Sequence, residues 1–322
     1  MPQRIVACQA GGPEVLQLQD FEPSVPKAGE ILVANHAIGV NFIDTYYRSG
    51  LYPRSYPSGL GSEGAGVVEA VGEGVENIAV GDRVVYLASE TYATHAIAPA
   101  QHSFRLPENM AFDAAAALLL KGLTTWMLVE CLRPVRPGTI VLVHAAAGGV
   151  GQIVVRWVKA MGGIVIAHSG NAEKASIVRM LGADHSLHCP YEDLAANVRE
   201  LTGGKGAELV LDGVGKDGWA ASLASVARLG LIASYGNASG PVPPFAPLEL
   251  ARAGSVFLTR PTLYDWIASP ENRDTGWRRL AALIEDGTIK PNIGQRFALA
   301  DAAEAHRALE GRMTVGATVL VP

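Results

Sequence analysis

A cluster of alanines and glycines is the stretch of this sequence with the clearest chemical meaning. Residues 142–152 read LVHAAAGGVGQ, and residues 146–151 match the pattern G-x-G-x-x-G with alanine in the first place. Gly148 and Gly149 would let a pyrophosphate approach the backbone, and Gly151 would allow a helix to pack closely on a strand. The helix that follows would add free N–H donors and a positive dipole end. In this context the motif predicts a dinucleotide-binding turn, although an ordinary glycine-rich turn is the alternative when the motif is taken alone.

The end of the next apolar run bears on which dinucleotide would bind. A site for NAD normally offers an acidic side chain there to the ribose 2′-OH. Here the run ends in His168, Ser169, Gly170 and Asn171, without Asp or Glu, and Lys174 follows. Because a carboxylate would repel a 2′-phosphate whereas serine and lysine can hold one, the sequence predicts NADPH in preference to NADH. The alternative for Lys174 is an ordinary solvated lysine on a helix.

The elements that must position these groups form an alternating pattern from Thr139 onwards. Short apolar runs such as TIVLVHA and GIVIAHS alternate with helix-like segments such as GQIVVRWVKAMGG and NAEKASIVRMLGA. Further along, the helix-like segment GWAASLASVARLG precedes the strand-like segment GLIASYG. Such alternation indicates right-handed crossovers and a doubly wound parallel sheet, so the predicted fold class is α/β.

The part of the chain before this region has a different character, since short β-like runs lie between glycines and prolines. These runs are ILVANHAIGV, GAGVVEAVG, DRVVYLA and ATHAIAP, at residues 31–40, 64–72, 82–88 and 93–99. They predict a compact, mostly β unit. After residue 261 the pattern changes to a helix near 275–286, a short strand near 294–299, the helix ADAAEAHRALEG and a closing strand ATVLVP. We expect this tail to pack back on the first unit.

Composition and charge limit the classes of function. The chain has 322 residues, 49% of them hydrophobic, which is enough for more than one packed core. A formal net charge of −5 argues against a nucleic-acid or anionic-membrane surface. No run approaches the roughly 20 apolar residues that span a bilayer, and the first residues lack the apolar core of a secretory signal. The cysteines, Cys8, Cys131 and Cys189, are odd in number and far apart, which favours free thiols and a cytoplasmic location.

Six segments, taken with this architecture, resemble one enzyme family. They are NFIDTYYRSGLYP (41–53), LGSEGAGVVEAVG (60–72), GDRVVY (81–86), HAAAGGVG (144–151), YGNASG (235–240) and FLTRP (257–261). Over nearly its whole length the chain resembles the zinc-free quinone oxidoreductase group of the medium-chain dehydrogenases/reductases, the zeta-crystallin-like NADPH:quinone reductases. The resemblance implies a GroES-like catalytic domain at 1–124, completed by 262–322, and a Rossmann NADPH-binding domain at 125–261. It also implies a homodimer that reduces a quinone with NADPH in a metal-free cleft between the domains.

The same resemblance allows the zinc sites of related enzymes to be checked at individual residues. Zinc-dependent relatives hold the metal with cysteine and histidine, and many carry a second site of four closely spaced cysteines. Asn41 stands at the position of the first zinc cysteine and Ser62 at that of the zinc histidine, and no cysteine cluster exists. We therefore expect no metal. His185, His188 and Cys189 form the one metal-like grouping, for which a structural role is the favoured interpretation.

The segment from Asn41 to Tyr52, expected to be a loop, carries side chains suited to quinone reduction. A quinone accepts hydride readily because its ring becomes aromatic, but it needs a flat apolar slot, a hydrogen-bond donor for the developing oxyanion and exclusion of water. We expect Asn41, Tyr46 and Tyr52 to be catalytic, with a tyrosine hydroxyl or a water delivering the proton. The alternative is that these aromatic side chains are packing residues.

The resemblance also implies cofactor contacts at individual residues. Arg260 and Arg312 among them have ordinary salt bridges as an alternative, and Lys121 and Glu63 are expected to be structural hydrogen-bonding or ion-pair residues rather than acid and base. Where close relatives carry a tyrosine that helps to hold the 2′-phosphate, this chain has Cys189, which puts that contact in doubt. The implied contacts are Asn41, Phe42, Ile43, Asp44, Thr45, Tyr46, Met127, Gly148, Gly149, Val150, Ser169, Gly170, Asn171, Lys174, Gly236, Asn237, Ala238, Ser239, Thr259, Arg260, Pro261 and Arg312.

Two other functions stay open at this point. An enone or enoyl-thioester reductase would use the same slot, since hydride addition to a conjugated C=C bond makes the same demands, although no basic cluster for coenzyme A is visible. An NADPH-binding structural or regulatory protein is the second alternative. RNA binding is a weaker option because the net charge is negative.

Overall fold

The computed structural model describes all residues from 1 to 322, and the chain forms two compact units. The first unit comprises Met1–Lys121 and Pro291–Pro322, and the second comprises Gly122–Lys290. No helix is long and apolar enough to cross a bilayer. Helices and strands are labelled below in chain order.

The first unit opens with eight strands and two short helices. A single 3-10 turn lies at Pro13–Val15 and another at Ala100–His102. The elements are β1 (Gln3–Ala7), β2 (Leu16–Asp20), β3 (Glu30–Val40), α1 (Phe42–Ser49), β4 (Ser58–Gly59), β5 (Glu63–Val71), β6 (Arg83–Leu87), β7 (His95–Pro99), β8 (Ser103–Arg105) and α2 (Phe112–Ala116).

The second unit alternates strands with helices, as the sequence pattern predicts. Helix α3 (Leu119–Trp126) is followed by a π-helical segment at Met127–Leu132. The remaining elements are β9 (Ile140–Val143), α4 (Gly149–Ala160), β10 (Ile164–His168), α5 (Ala172–Met180), β11 (His185–Leu187), α6 (Tyr191–Leu201), β12 (Ala207–Asp212), α7 (Trp219–Ser225), β13 (Val226–Ser234), α8 (Leu248–Arg252), β14 (Phe257–Thr259), α9 (Leu263–Ile267) and α10 (Pro270–Glu285).

The six strands of the second unit form one parallel sheet in the order β11-β10-β9-β12-β13-β14. This is the strand order of a dinucleotide-binding α/β fold, with its switch point between β9 and β12. Val141, Leu142 and Val143 of β9 are completely buried. A run without polar alternation is what a strand covered on both faces requires. The predicted doubly wound sheet is confirmed.

The last residues return to the first unit. They form β15 (Ile293–Ala298), a 3-10 turn at Leu299–Asp301, α11 (Ala302–Glu310) and β16 (Ala317–Val321). Strand β16 pairs antiparallel with β3, and the larger sheet has the order β15-β16-β3-β5-β6-β8, with β7 paired to β3. A separate three-stranded sheet has the order β2-β1-β4. The first unit is therefore mostly β, as predicted, and the C-terminal tail joins it from residue 291 onwards.

The boundary of that tail differs from the expected one, because residues 262–290 lie in the second unit. On α10, a Cβ added at Gly276 would lie 2.8 Å from the Trp126 ring and 3.1 Å from Leu123. Gly122 is packed in the same way against the side chain of Leu280. The small glycines let α10 pack closely on α3, which holds this helix within the second unit.

Two local predictions were wrong. The segment expected as a loop after Val40 is helix α1, and the Asp44 carboxylate accepts a hydrogen bond from the Asn41 backbone N–H at its start. The helix expected at GWAASLASVARLG ends at Ser225, and the last residues of that segment open strand β13. Val226 is completely buried and pairs with Ala207 of β12, so sheet pairing outweighs the helical pattern here.

Candidate functional site

The glycine cluster forms the turn between β9 and α4. Gly148 precedes the helix in extended conformation, and no side chain caps the first turn. A Cβ added at Gly151 would lie 2.6 Å from both Cα and the carbonyl oxygen of Ala146, so only glycine fits there. The predicted close packing at Gly151 is confirmed. The N–H groups of the first turn, at Gly149 and Val150, are available to an anion.

The segment after β10 combines an unsatisfied hydroxyl with open space. Ser169 is 2% exposed, and its Oγ has no hydrogen-bond partner in the protein. A Cβ added at Gly170 would meet nothing within 4 Å. Asn171 caps α5 by accepting a 2.8 Å hydrogen bond from the N–H of Lys174. The unpaired Ser169 hydroxyl can therefore accept or donate to a bound group, and it stands beside the start of α5, whose first turn carries Glu173 and Lys174.

The carbonyl of Cys189 lies beside the same segment. His168 Nε2 lies 2.8 Å from the Cys189 oxygen, and the Tyr191 ring lies 4.8 Å from the His168 ring. Because a carbonyl oxygen only accepts, Nε2 of His168 carries the ring proton and donates it to Cys189, and burial lowers the pKa of this histidine. Tyr191, two residues after Cys189, thus packs against His168 with its ring tilted by 55°.

The predicted turn at residues 236–239 is held by the neighbouring turn after β12. Ser239 Oγ donates to the Val214 carbonyl at 2.8 Å and accepts from the Asp217 N–H at 2.9 Å. A Cβ added at Gly236 would lie 2.5 Å from the Gly213 carbonyl oxygen. The Ser239 side chain thus shapes the turn, and Asn237 and Ala238 lie within it.

The other predicted contacts of the second unit lie at the end of β14 and on the π-helical segment. Thr259 ends β14, and Arg260 Nη1 donates to the Ser234 carbonyl at 2.8 Å, ahead of Pro261. Met127 is buried. The turns after β9, β10, β13 and β14 all lie at the carboxyl edge of one parallel sheet, which is where such folds bind their ligands.

Sequence reasoning missed a buried polar group below this edge. Asp212, the last residue of β12, accepts hydrogen bonds from the N–H groups of Val214 and Gly215 and from Ser222 Oγ. Ser222 Oγ also lies 3.0 Å from His144 Nε2, and burial lowers the pKa of His144 to about 4. The network fixes the turn after β12. An aspartate followed by G-V-G was the available signal.

In the first unit, Asn41 stands at the start of α1 and is tied to a buried ion pair. Its Nδ2 donates to Glu63 Oε1 at 2.8 Å. The same oxygen accepts from Lys121 Nζ at 2.9 Å, and Glu63 Oε2 accepts from the Leu120 N–H at 2.8 Å. The structural ion pair expected for Lys121 and Glu63 is confirmed.

Asp44 lies completely buried under the start of α1. Its carboxylate accepts hydrogen bonds from Ser62 Oγ at 2.6 Å and from the Tyr92 hydroxyl at 3.0 Å. Burial raises the pKa of Asp44 to about 6. Thr45 Oγ1 donates to the Phe42 carbonyl at 2.7 Å. The side chains of Asp44 and Thr45, expected to touch a cofactor, are thus turned into the protein and support the helix.

The aromatic side chains of α1 and of the segment after it form one cluster. The Tyr46 ring lies 5.3 Å from the Tyr52 ring and 6.3 Å from the Phe42 ring, and Tyr47 packs edge-on to Tyr52 at 5.7 Å. Ile43 lies on the same helix. The structure therefore brings Tyr46 and Tyr52 together. Arg312, the last predicted contact, lies exposed in the turn after α11.

The two side chains expected at zinc-ligand positions, Asn41 and Ser62, have protein partners. Asn41 is bound to Glu63, and Ser62 is bound to Asp44. No group of three or more His, Cys, Asp or Glu side chains in the protein is arranged to hold a metal ion, and His185, His188 and Cys189 form no such group.

Comparison with known proteins identifies relatives along the whole chain. Residues 27–108 match the alcohol dehydrogenase GroES-like domain, and residues 149–277 match the zinc-binding dehydrogenase family. The chain is 47% identical to a quinone oxidoreductase of Pseudomonas aeruginosa, with 100% of both chains covered. It is 37% identical to a 2-haloacrylate reductase of Burkholderia, with 100% of this chain and 99% of that one covered. The crystal structure of Escherichia coli quinone oxidoreductase complexed with NADPH matches with a TM-score of 0.97 and 44% identity, over 99% of this chain and 100% of that one.

Proposed function

The chain belongs to the quinone oxidoreductase family of the medium-chain dehydrogenases/reductases, and from that premise we propose that it transfers a hydride from NADPH to a quinone. The observation that carries the proposal is the anion site after β10. There the buried Ser169 hydroxyl lacks a partner, Gly170 leaves open space, and residues 168–171 carry no carboxylate, although Glu173 lies beside Lys174 in the first turn of α5. This chemistry suits a 2′-phosphate and therefore NADPH.

The second unit supplies the residues that would hold the dinucleotide. The N–H groups of Gly149 and Val150 suit the pyrophosphate, because backbone donors at a helix start bind anions without a counter-charge from a side chain. Ser169 and Lys174 would take the 2′-phosphate. NADPH, when bound, supplies the hydride. The backbone turn at residues 236–239 is fixed by Ser239 and would line the site.

The first unit supplies the candidates for the acceptor's surroundings. The rings of Phe42, Tyr46 and Tyr52 form an apolar wall suited to a flat quinone, and the tyrosine hydroxyls are candidate proton donors. Asn41 is held at the start of the same helix. We assign Asn41, Tyr46 and Tyr52 as the catalytic residues of this reaction.

The test is turnover with defined acceptors. Purified protein is mixed with NADPH and with 1,4-benzoquinone or 9,10-phenanthrenequinone, and the absorbance of the reduced nicotinamide is followed. We expect oxidation of NADPH that depends on the quinone, with NADH a poorer donor. The absence of NADPH oxidation across the quinone panel would refute the proposal.

Reduction of a conjugated C=C bond is the second candidate, because the chain is 37% identical to the 2-haloacrylate reductase over its whole length. Hydride addition to such a bond leaves an enolate, which also needs a proton donor and exclusion of water. The same assay with 2-chloroacrylate and with methyl vinyl ketone distinguishes the two. A kcat/KM for these acceptors above that for quinones would make the alkene the substrate.

The homodimer and the cytoplasmic location belong to the same proposal. Phe257 on the edge strand β14 is 60% exposed, and an apolar side chain on an unpaired strand edge is typical of an interface. All three cysteines are free, as a reducing compartment would keep them. Light scattering coupled to size exclusion measures the assembly, and a mass of one chain would contradict the dimer.

A further inference from the structure

The Glu63 carboxylate allows only one orientation of the Asn41 side-chain amide. Asn41 is 6% exposed, and its Nδ2 lies 2.8 Å from Glu63 Oε1. An ionised carboxylate accepts hydrogen bonds and donates none, so the amide nitrogen of Asn41 must face Glu63. The Oδ1 atom therefore points away from the carboxylate, toward the first turn of α1, where the side chain makes a capping-box contact with the Asp44 N–H and keeps a second lone pair for a ligand.

Glu63 is itself held in place from three directions. Besides Asn41, it accepts hydrogen bonds from the Lys121 ammonium and from the Leu120 N–H. Lys121 is 5% exposed and Glu63 is completely buried. A Cβ added at Gly39 on β3 would lie 2.2 Å from Glu63 Oε1, so the fold leaves that space to the carboxylate.

Stability alone does not account for this arrangement. Burying an ion pair removes both charges from water, and well-packed apolar residues of similar volume are often as good or better for stability. The ion pair instead fixes the orientation of Asn41. Lys121 and the Leu120 N–H hold the Glu63 carboxylate in place, and that carboxylate holds the Asn41 amide. Among these groups only Asn41 is predicted to touch a ligand.

We propose that Glu63 and Lys121 are positioning residues for hydride transfer, holding Asn41 so that its Oδ1 accepts a hydrogen bond from NADPH. A quinone carries no hydrogen-bond donor, whereas the dinucleotide offers amide N–H and hydroxyl groups. The Oδ1 atom of Asn41, which only accepts hydrogen bonds, can therefore bind the cofactor but not the quinone. This inference rests on the proposed function, since Asn41 touches a ligand only there. A catalytic group displaced by about 1 Å can lose about 100-fold in rate.

A double-mutant cycle tests whether Glu63 acts through Asn41. The proteins are the wild type, E63Q, N41A and the double variant N41A/E63Q. Glutamine is neutral and keeps one acceptor oxygen, so the attraction to Lys121 is lost and at least one of the three donors faces an N–H₂ group, which loosens the hold on Asn41. We expect E63Q to lower kcat by about 10- to 100-fold and to have less than about a twofold further effect once the Asn41 side chain is removed. Multiplying effects in the double variant would overturn the proposal.

The control is D184N, which makes the same chemical change in an ion pair of the second unit. Asp184 pairs with Lys159 and accepts from the Val165 N–H, away from the predicted contacts. We expect D184N to lower Tm while leaving kcat within about twofold of the wild type. If E63Q does not fold, the same cycle is run with K121M, which keeps Glu63 but removes its cation.

A measurement without substrate distinguishes failure of the positioning role of Glu63 from failure of the proposed quinone reduction. In the cofactor-free protein labelled with ¹⁵N-asparagine, the side-chain N–H₂ signals of Asn41 are assigned by their loss in N41A. We expect them to shift and to exchange faster in E63Q and K121M. Unchanged signals would refute the positioning role even if quinones are reduced. Shifted signals in a protein that reduces no quinone would refute the proposed function but would establish the hydrogen bond between Glu63 and Asn41. NADPH binding then decides the positioning role. That role holds if E63Q weakens NADPH binding in the presence of the Asn41 side chain but not in N41A, and it is overturned otherwise.

Discussion

Arg48 Nη1 lies 3.1 Å from Nδ1 of His306. A guanidinium only donates, so Nδ1 carries the lone pair and the ring proton lies on Nε2, 3.1 Å from the Tyr92 hydroxyl. Tyr92 then donates to Asp44, beside the backbone N–H of Asn41. The donors therefore run in one direction, from Arg48 on α1 through His306 on α11 and Tyr92 to the carboxylate of Asp44.

Asp44 makes the stability of the protein depend on pH. Because burial raises the pKa of Asp44 from 3.8 to about 6, the folded state binds its proton more tightly than the unfolded state does. Its contribution to stability is therefore fully present below pH 3.8 and is lost as the pH rises through 6. Between pH 7 and pH 4.5, the wild type should gain about 2 kcal/mol relative to D44N.

Urea unfolding of the wild type and D44N at both pH values measures this difference. The histidines titrate in both proteins, so their contribution cancels when the free energy of unfolding of D44N is subtracted from that of the wild type. A difference that stays constant with pH would mean that Asp44 titrates normally in the folded protein.

His306 acts in the opposite sense. Burial, with the nearby Arg48 charge, lowers the pKa of His306 from 6.5 to about 3, so the folded state holds it neutral. The stability this gives is present above pH 6.5 and is lost as the pH falls toward 3. On going from pH 7.5 to pH 4.5, the wild type should lose about 3 kcal/mol relative to H306Q. Guanidinium unfolding of both proteins checks this, and equal losses would contradict it.

Gly151 should not tolerate a methyl group. In G151A the new Cβ would lie 2.6 Å from the backbone of Ala146, so α4 must move away from the turn. We expect a loss of about 1–3 kcal/mol in the free energy of unfolding and at least about a tenfold rise in the Kd for NADPH. The matched variant G170A adds a methyl group in open space and should unfold within about 0.5 kcal/mol of the wild type. Equal stability of G151A and G170A would contradict the packing argument.

The choice of cofactor should respond to charge after β10. In G170D a carboxylate stands beside Ser169, where it repels a 2′-phosphate and accepts from a 2′-OH. We expect the ratio of kcat/KM for NADPH over NADH to fall by at least about tenfold. K174M should raise the KM for NADPH without changing that for NADH, whereas K205M, at an exposed lysine between α6 and β12, should change neither. An unchanged ratio in G170D would place the phosphate elsewhere.

Local patterns in the sequence were enough for much of the fold. The alternation after Thr139 predicted the parallel sheet, since strands such as β9 and β10 are nearly continuous apolar runs and their connections are long enough for a helix. Helix α1 was missed because it is only eight residues long and rich in aromatic residues, although Asn41 with Asp44 three residues later is a helix-start signal. The start of β13 was missed because its pairing with β12 is not visible in a local window.

The sequence by itself determined the glycines of the turn after β9, the lack of an acid at the end of β10, and the presence of Asn41 and Ser62 where cysteine and histidine would be needed for zinc. These are properties of single positions, so a short window contains them. Only the tertiary structure decided that Asn41, Glu63 and Lys121 meet at the start of α1. Glu63 lies 22 residues after Asn41 in sequence, and Lys121 lies 58 residues after Glu63. The reason is physical. Pairing of β3 with β5 places Gly39 opposite Glu63, and strand register is set by packing across the whole sheet.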